Sequence, residues 1–319
     1  MRYVISDNEN GMSVKDVLKK GAGLSMALIK RLKFLENGIL LNGTKVTVRH
    51  TVHTGDLLFL DTDDKERGES LTPTDIPLDI VYEDEYMVLP NKPPFMPTHP
   101  SHLHHGDTLA DALAYRYGNC DVPFVFRPIN RLDRNTSGIT LIARDRISAA
   151  RLTESMRSGN IKKQYIAILC GEMPDDRGRI ETYIRRTEAS IIVRENCDAD
   201  GGGDYALTEY EVLARVPGYS LVMASPITGR THQLRVHFAG LGCPILGDDM
   251  YGSVTPMIPR HALHAAYLSL SHPHTKEMLE FNAPLPEDMS DALASIFGQD
   301  VLNNINAVSG TYKNKSKGI

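Results

Sequence analysis

The sequence predicts an α+β protein in which a mixed, largely antiparallel sheet forms the main domain and a small α+β domain precedes it. Three observations support this prediction. The length of 319 residues suits about two domains. Strand-like apolar runs alternate with segments of helical periodicity over residues 77–300. Residues 61–76 are acidic and nearly free of large apolar side chains, which indicates a flexible linker.

Residues 1–60 have the pattern of a small basic domain. A first helix is predicted from its one-sided apolar residues, and Ser25 is a good N-cap for a second helix. Asn42-Gly43 lies between two apolar runs, which is a strong hairpin signal. Residues 13–50 contain eight basic and two acidic side chains, a net charge of +6, although the whole chain has a net charge of −5. This local asymmetry suits a polyanionic partner.

The elements of the main domain follow from its apolar runs. The predicted strands are residues 80–82, 86–89, 139–143, 163–169, 207–214 and 220–225. The predicted helices are residues 108–117, 148–158 and 232–239. Residues 301–319 are predicted to form a disordered tail, because the C-terminal stretch is polar.

Composition argues against several classes of protein. The N-terminus lacks the apolar segment of a signal peptide, and no apolar run reaches the roughly 18 residues of a membrane span. The four cysteines are scattered without a C-x-x-C pair, which indicates reduced thiols rather than a disulfide or zinc framework. We therefore expect a cytoplasmic protein that contacts no membrane, with a monomer as the default.

The most informative stretch is RPINRLDRNTSGITLIAR, residues 127–144, in which Asp133 stands among four arginines. These are Arg127, Arg131, Arg134 and Arg144. The Asn-Thr-Ser-Gly sequence predicts a turn before an apolar strand. Nearby guanidinium groups favour the ionised form of a carboxylate, and they also bind phosphates. The pattern predicts a site where a charged aspartate lies beside a polyanion.

Two further stretches carry regularly spaced polar side chains. KKQYIAIL places Lys162 and Tyr165 on a predicted strand. TGRTHQLRVH places His232 and Arg235 on nearly the same side of a predicted helix. Each has an ordinary explanation when taken alone, as a core tyrosine, a surface ion pair or a helix cap. Their order and spacing after RLDRNTSG make those explanations poor ones for the set.

Together these motifs resemble those of the RluA-type family of RNA pseudouridine synthases over nearly the whole chain. The resemblance implies that Asp133 is the catalytic aspartate, that Tyr165 stacks on the target base and that Arg235 pairs with the aspartate. It also implies the pseudouridine synthase fold for the main domain. Residues 12–60 resemble the ribosomal-protein-S-four-type RNA-binding module of many members. Further matching stretches are TEYEVL, GCPILGDDMYG, LHAAYLSLSHP and APLPEDM.

The implied reaction is the isomerisation of uridine to pseudouridine within RNA, which needs no cofactor and no metal. Asp133 would act as nucleophile or base, and attack on the sugar, attack on the base ring and elimination through a glycal all stay open. The Tyr165 hydroxyl would assist removal of the proton at carbon 5. Asn130 replaces a frequent histidine and Asn135 a frequent aspartate, which could alter loop ordering or substrate fit.

The expected partner is RNA, with large-subunit ribosomal RNA as first choice and transfer RNA as runner-up. The side chains expected to bind RNA lie in the motifs or in the basic N-terminal domain, and nearly all are cationic. They are Arg127, Arg131, Arg134, Lys162, Arg230, His232, Gln233, Lys30, Arg31 and Lys33.

Two rival interpretations stay open. The stretch THPSHLHHGD, with four histidines and Asp107, would suit a metal hydrolase, but its spacing matches no helical metal-binding pair, so a solvent-facing loop is favoured. Alternatively, the protein binds RNA without catalysis, as a ribosome-assembly factor in which Asp133 is only a salt-bridge partner. The presence of Asp133, Tyr165 and Arg235 together argues against this second alternative.

Overall fold

The computed structural model describes residues 2–24, 26–61, 71–101, 104–118 and 124–311, so the predicted N-cap Ser25 and most of the predicted linker lie outside the described residues. The N-terminal part is an antiparallel sheet with strand order β1-β4-β2-β3. Its strands are β1 (Arg2–Val4), β2 (Ile39–Leu41), β3 (Thr44–Lys45) and β4 (Leu57–Leu60). Its helices are α1 (Val14–Asp16), which continues as a π-helical turn (Val17–Gly21), and α2 (Met26–Phe34).

The helices of the N-terminal part bury their apolar sides against this sheet. Side chains with no exposed surface include Val14, Leu18, Leu32, Leu58 and Leu60. Ile147 of the main domain belongs to the same buried cluster. Arg151, also of the main domain, donates a hydrogen bond of 3.0 Å from Nε to the carbonyl oxygen of Ala22. The two parts of the chain therefore share a packed contact.

An eleven-stranded sheet forms the main domain, with order β11-β10-β12-β13-β9-β14-β7-β6-β5, β15 beside β14 and β8 beside β6. Within the ranges that the structure describes, β14–β7 is the one parallel pair, which confirms the predicted mixed, largely antiparallel sheet. The strands are β5 (Asp79–Glu83), β6 (Met87–Lys92), β7 (Ser137–Ile139), β8 (Ile142–Ala143), β9 (Lys162–Cys170), β10 (Arg177–Arg186), β11 (Arg194–Cys197), β12 (Asp204–Val216), β13 (Tyr219–Pro226), β14 (Leu263–Ser271) and β15 (Met278–Asn282). The helices are α3 (Leu109–Tyr117), α4 (Arg146–Arg157), α5 (Gln233–Gly240), α6 (Glu287–Phe297) and α7 (Gln299–Thr311). In the described part of the chain, no helix combines the length and apolarity needed to cross a bilayer.

The predicted elements of the main domain are present with shifted ends, and several elements were missed. The predicted strand 139–143 is divided into β7 and β8, and sequence analysis missed β10, β11, β14, β15 and α6. The prediction of a disordered tail was wrong for residues 301–311, which belong to α7. Val301, Leu302 and Ile305 recur at helical spacing and pack against the main core, which explains the helix.

The centre of the sheet lies beneath the loop that carries Asp133. β9 pairs with both β13 and β14, and β14 pairs with β7, the strand that follows this loop. Gly138 in β7 has φ +112°, and a Cβ atom there would lie 2.3 Å from the carbonyl oxygen of Ala265. Only glycine allows this approach, so Gly138 holds the loop close to the central strands.

Arg260 links this loop to α6. Its side chain has 0% exposed surface and makes two hydrogen bonds, of 2.7 and 2.9 Å, to the carboxylate of Asp288. Its Nη1 also donates to the carbonyl oxygens of Asn135, His261 and Leu263. Because Asn135 lies two residues after Asp133, the buried guanidinium fixes the backbone next to the carboxylate.

We expect Arg260→Ala to destabilise the protein by about 3 kcal/mol or more, because it leaves Asp288 and three carbonyl groups without their buried partner. The matched control is Arg177→Ala, which removes a mostly exposed guanidinium paired with Glu211 and should leave the free energy of unfolding nearly unchanged. Urea unfolding measures both free energies. Equal losses for the two variants would contradict the structural role of Arg260.

Candidate active site

A cleft of about 860 Å³ opens at the centre of the main domain. Asp133, Tyr165, His232 and Arg235 all line it, although they come from three separate stretches of the chain. The Thr136 amide donates to the Asp133 carbonyl oxygen at 3.1 Å, which closes the predicted turn. The Asp133 side chain is 31% exposed, so its carboxylate is open to a ligand in the cleft.

Two cationic or hydrogen-bonding groups face the Asp133 carboxylate. Arg235 Nη1 lies 3.9 Å and His232 Nε2 lies 4.0 Å from Oδ2. No other ion pair of Asp133 occurs among the described residues. The ion-pair partners of Asp133 therefore come from α5 and from the residue before this helix, and not from the arginines next to Asp133 in the sequence.

The prediction that four arginines surround Asp133 was wrong, because none of their side chains pairs with its carboxylate in the structure. Arg131 and Arg134 line the cleft but are exposed, and neither pairs with Asp133. Arg144 instead lies over the Tyr117 ring at 4.6 Å and pairs with Glu83 at 3.6 Å. Arg127 donates through Nη1 to backbone carbonyl oxygens outside the cleft. Residues close in sequence project to different sides of the turn and strands, which separates these charges.

The tightest partner of Arg235 is Asp248, which sequence analysis did not select. Nε and Nη2 of Arg235 each lie 2.7 Å from an Asp248 carboxylate oxygen, and both side chains are almost fully buried. Burial alone would raise the pKa of Asp248, but the hydrogen bonds from Arg235 bring the pKa below its ordinary value. This pair holds the guanidinium, and its free Nη1 faces Asp133. The GDDMYG part of a matching stretch was the available signal for Asp248.

Tyr251 connects His232 to strand β11. Its hydroxyl oxygen lies 2.8 Å from the Arg194 amide, which donates to it, and 2.8 Å from His232 Nδ1. The Tyr251 hydroxyl is able to donate to Nδ1 of neutral His232, and in that tautomer the ring proton is on Nε2, towards Asp133. Burial lowers the pKa of His232, which favours this neutral form. The Arg235 guanidinium also lies 5.1 Å from the centre of the Tyr251 ring.

Tyr165 forms the apolar wall of the cleft. It lies in β9 opposite Ala224 of β13 and Ala265 of β14, and its side chain is buried. Burial, and to a smaller extent the charge of Asp133, raises the pKa of Tyr165 well above its ordinary value. Tyr165 therefore lines the cleft with its hydroxyl protonated.

Lys162, which the sequence predicts to bind RNA, does not line the cleft, but Lys163 does. Side chains alternate across a strand, so Lys163 and Tyr165 share a face of β9 and Lys162 points to the other. Burial lowers the pKa of Lys163.

Lys92 is a buried cation that sequence analysis missed. Its side chain has no exposed surface, and Nζ donates to the carbonyl oxygens of Pro93 (3.0 Å), Met96 (2.8 Å) and Arg134 (3.1 Å). Burial lowers its pKa to about 7. Because Arg134 follows Asp133, Lys92 fixes the backbone of the turn that carries the carboxylate.

The other predicted RNA-binding side chains fall into two groups. Lys30, Arg31 and Lys33 on α2 and Arg230 at the cleft are exposed. Gln233 is buried, and its amide is used inside the protein, since it donates to Leu207 and Thr208 and accepts from Thr228 and Arg230. Gln233 therefore shapes the loop before α5 and does not reach the cleft surface as a free donor.

His104 and Asp107 of the histidine-rich stretch form a pair at 2.6 Å. Within the described ranges, no three histidine, cysteine or acidic side chains come together as a metal-binding group. His102 lies outside those ranges.

Comparisons with known proteins agree on one family. Residues 86–240 match the RNA pseudouridylate synthase family. The chain is 36% identical over 279 residues to the uncharacterized RNA pseudouridine synthase YjbO of Bacillus subtilis, covering 88% of this chain and 97% of the relative. It is 33% identical over 276 residues to ribosomal large subunit pseudouridine synthase D of Pseudomonas aeruginosa, covering 82% and 84%.

Solved structures give the same result. Human RNA pseudouridylate synthase domain containing 1 aligns with a TM-score of 0.53 and 31% identity, covering 66% of this chain and 84% of that one. Human RNA pseudouridylate synthase domain containing 4 aligns with a TM-score of 0.55 and 27% identity, covering 67% and 91%.

His237 on α5 supplies a pH-dependent stability term. Burial lowers its pKa from 6.5 to about 4, and its ring bonds to Thr208 and Thr182. The unfolded chain therefore binds a proton between pH 6.5 and about 4 that the folded chain does not, so stability falls as the pH is lowered through this window. In His237→Gln we expect the slope of the unfolding free energy against pH to be smaller in this window, by the amount that corresponds to about one bound proton. Parallel plots from urea titrations would contradict this expectation.

Proposed function

The chain belongs to the family of RNA pseudouridine synthases, isomerases that convert uridine to pseudouridine, and we propose that it modifies large-subunit ribosomal RNA with Asp133 as the catalytic carboxylate. The observation that carries the proposal is the placement of an accessible Asp133 carboxylate within 4.0 Å of His232 and Arg235, in a cleft also lined by Tyr165. A uridine extruded from RNA would meet all of these groups at once.

The reaction breaks the bond from nitrogen 1 of uracil to the ribose and replaces it with a bond from carbon 5 to the same ribose carbon. The proton at carbon 5 leaves, and nitrogen 1 is protonated, so no redox partner is needed. Asp133 acts from its ionised form, as nucleophile or as base. Arg235 Nη1 and His232 Nε2, which face the carboxylate at 3.9 and 4.0 Å, orient it in the cleft. Asp248 acts through Arg235, as a positioning residue.

Tyr165 serves as the stacking surface for the uracil ring. Its raised pKa argues against a phenolate that would remove the carbon 5 proton as a base. The hydroxyl instead acts as a hydrogen-bond donor or passes a proton on. The exposed Arg131, Arg134 and Arg230 at the mouth of the cleft bind phosphates on either side of the target.

The choice of RNA rests on two supports. One is the 33% identical relative named as a ribosomal large subunit enzyme. The other is the exposed basic surface of α2, with Lys30, Arg31 and Lys33, in a domain that resembles the ribosomal-protein-S-four-type module. Transfer RNA is the second candidate, and a ribosome-assembly factor without catalysis is the third. Pseudouridine maps of total RNA from cells with and without the protein separate the three.

We expect Asp133→Asn to fold normally, because Asp133 is partly exposed and makes no short ion pair, and to form no pseudouridine. Asp248→Asn should keep a small part of the activity, with a loss of about 10²- to 10³-fold in kcat, since it loosens Arg235 without touching the substrate. A tritium-release or mapping assay on unmodified ribosomal RNA measures both variants. Normal turnover by Asp133→Asn would remove Asp133 from the mechanism.

The N-terminal domain is tested by Lys30→Gln/Lys33→Gln, because deleting residues 1–60 would expose Ile147 and would remove Ala22, whose carbonyl oxygen accepts a hydrogen bond from Arg151. We expect weaker RNA binding and little change in the turnover of bound RNA. The slope of the logarithm of affinity against the logarithm of salt concentration should be shallower by roughly 1 to 2. Arg177→Gln/Arg179→Gln makes the same change in net charge on β10 and serves as the control. Equal binding by the two double variants would argue against an RNA-binding role for α2.

A further inference from the structure

A second groove adjoins the cleft and is lined by four arginines. Its volume is about 400 Å³, and its arginines are Arg185, Arg186, Arg194 and Arg230. Gly229, Arg230 and Thr231 line both this groove and the main cleft, so the two are continuous. We propose, resting on the proposed function, that this groove binds the phosphodiester backbone of the substrate RNA next to the extruded uridine.

Arg186 and Arg194 form a cross-strand pair of like charges in the groove. These residues are direct partners in the β10–β11 pair, so their side chains lie on the same face. Like charges directly opposite each other destabilise a sheet. In the described part of the chain, the Arg186 side chain has no hydrogen bond or ion pair to offset this repulsion. A bound phosphate would turn the local cost into an attraction.

The other three guanidinium groups are held in place mainly by the backbone. Nη1 of Arg194 donates to the carbonyl oxygens of residues 191, 192 and 193 at 3.2, 2.9 and 3.2 Å. Nε of Arg230 donates to the Tyr205 carbonyl oxygen at 2.9 Å. Carbonyl oxygens fix a guanidinium group without neutralising it, so Arg194 and Arg230 are arranged in advance for an anion. Arg185 projects to the opposite face of β10, where it donates to the Gly201 carbonyl oxygen at 3.2 Å and pairs with Glu195 at 2.8 Å.

The balance of charge favours an anionic ligand. Asp204 is the acidic residue among those lining the groove. The guanidinium groups of Arg186, Arg194 and Arg230 thus face one carboxylate. The Arg194 amide is also bonded to Tyr251, which contacts His232, so the groove is fixed relative to Asp133. A strand of RNA whose uridine enters the cleft would run directly over it.

Arg186→Gln and Arg186→Glu test the groove, and Arg179→Gln is the control. Arg179 lies on the same strand and is exposed, and its ion pair with Glu209 is long, at 3.8 Å. The probe is an unmodified transcript of large-subunit ribosomal RNA. We expect Arg186→Gln to lower the affinity for this RNA. The slope of log affinity against log salt concentration should be shallower by roughly 0.7 to 0.9 for one lost phosphate contact. The loss of affinity relative to the parent protein should be about threefold larger at roughly 50 mM than at 200 mM salt.

Arg186→Glu should weaken binding further and leave the thermal midpoint unchanged or higher, since it pairs with Arg194. That combination separates an RNA contact from a structural role, in which affinity and stability would fall together. The groove is disproved if both Arg186 variants bind with the affinity and salt dependence of Arg179→Gln. If the parent protein forms no pseudouridine in this RNA but the variants still lose salt-dependent affinity, the groove stands and the proposed target fails.

Discussion

The buried ion pair between Arg235 and Asp248 is the interaction on which the candidate site depends. Two hydrogen bonds of 2.7 Å hold the guanidinium, and its remaining nitrogen faces Asp133 at 3.9 Å. A lone buried guanidinium would carry a large desolvation cost, which a well-aligned carboxylate offsets. The protein thereby keeps a fixed positive charge beside an accessible carboxylate. The longer distance leaves room for Asp133 to meet a substrate.

The turn that carries Asp133 is fixed by buried cations acting on its backbone. Lys92 binds the carbonyl oxygen of Arg134, and Arg260 binds that of Asn135. Gly138 then lets the chain pass close to β14. These contacts hold the main chain and leave the Asp133 side chain free. Such a division of roles suits a site where a carboxylate must be placed accurately and still react.

The sequence predicts the fold class and the residues of the cleft better than it predicts their partners. Asp133, Tyr165 and Arg235 stand in short motifs, where local pattern is informative, and the structure places all three at one cleft. The partners Asp248 and Lys92 lie far along the chain from Asp133, and the GDDMYG stretch does not show that its first aspartate pairs with Arg235. The arginines next to Asp133 misled for the opposite reason, because neighbours in sequence project to different sides. In α7, helical spacing of apolar residues outweighed the polar composition of the tail.

The central claim is that an extruded uridine meets Asp133 on the face of Tyr165. A structure of the Asp133→Asn protein bound to its substrate RNA tests this most directly. The account predicts the target base outside the RNA stack, packed on Tyr165, with the residue 133 side chain within about 3.5 Å of the ribose or the base. A target uridine still stacked in the RNA, with position 133 remote from it, would contradict the account.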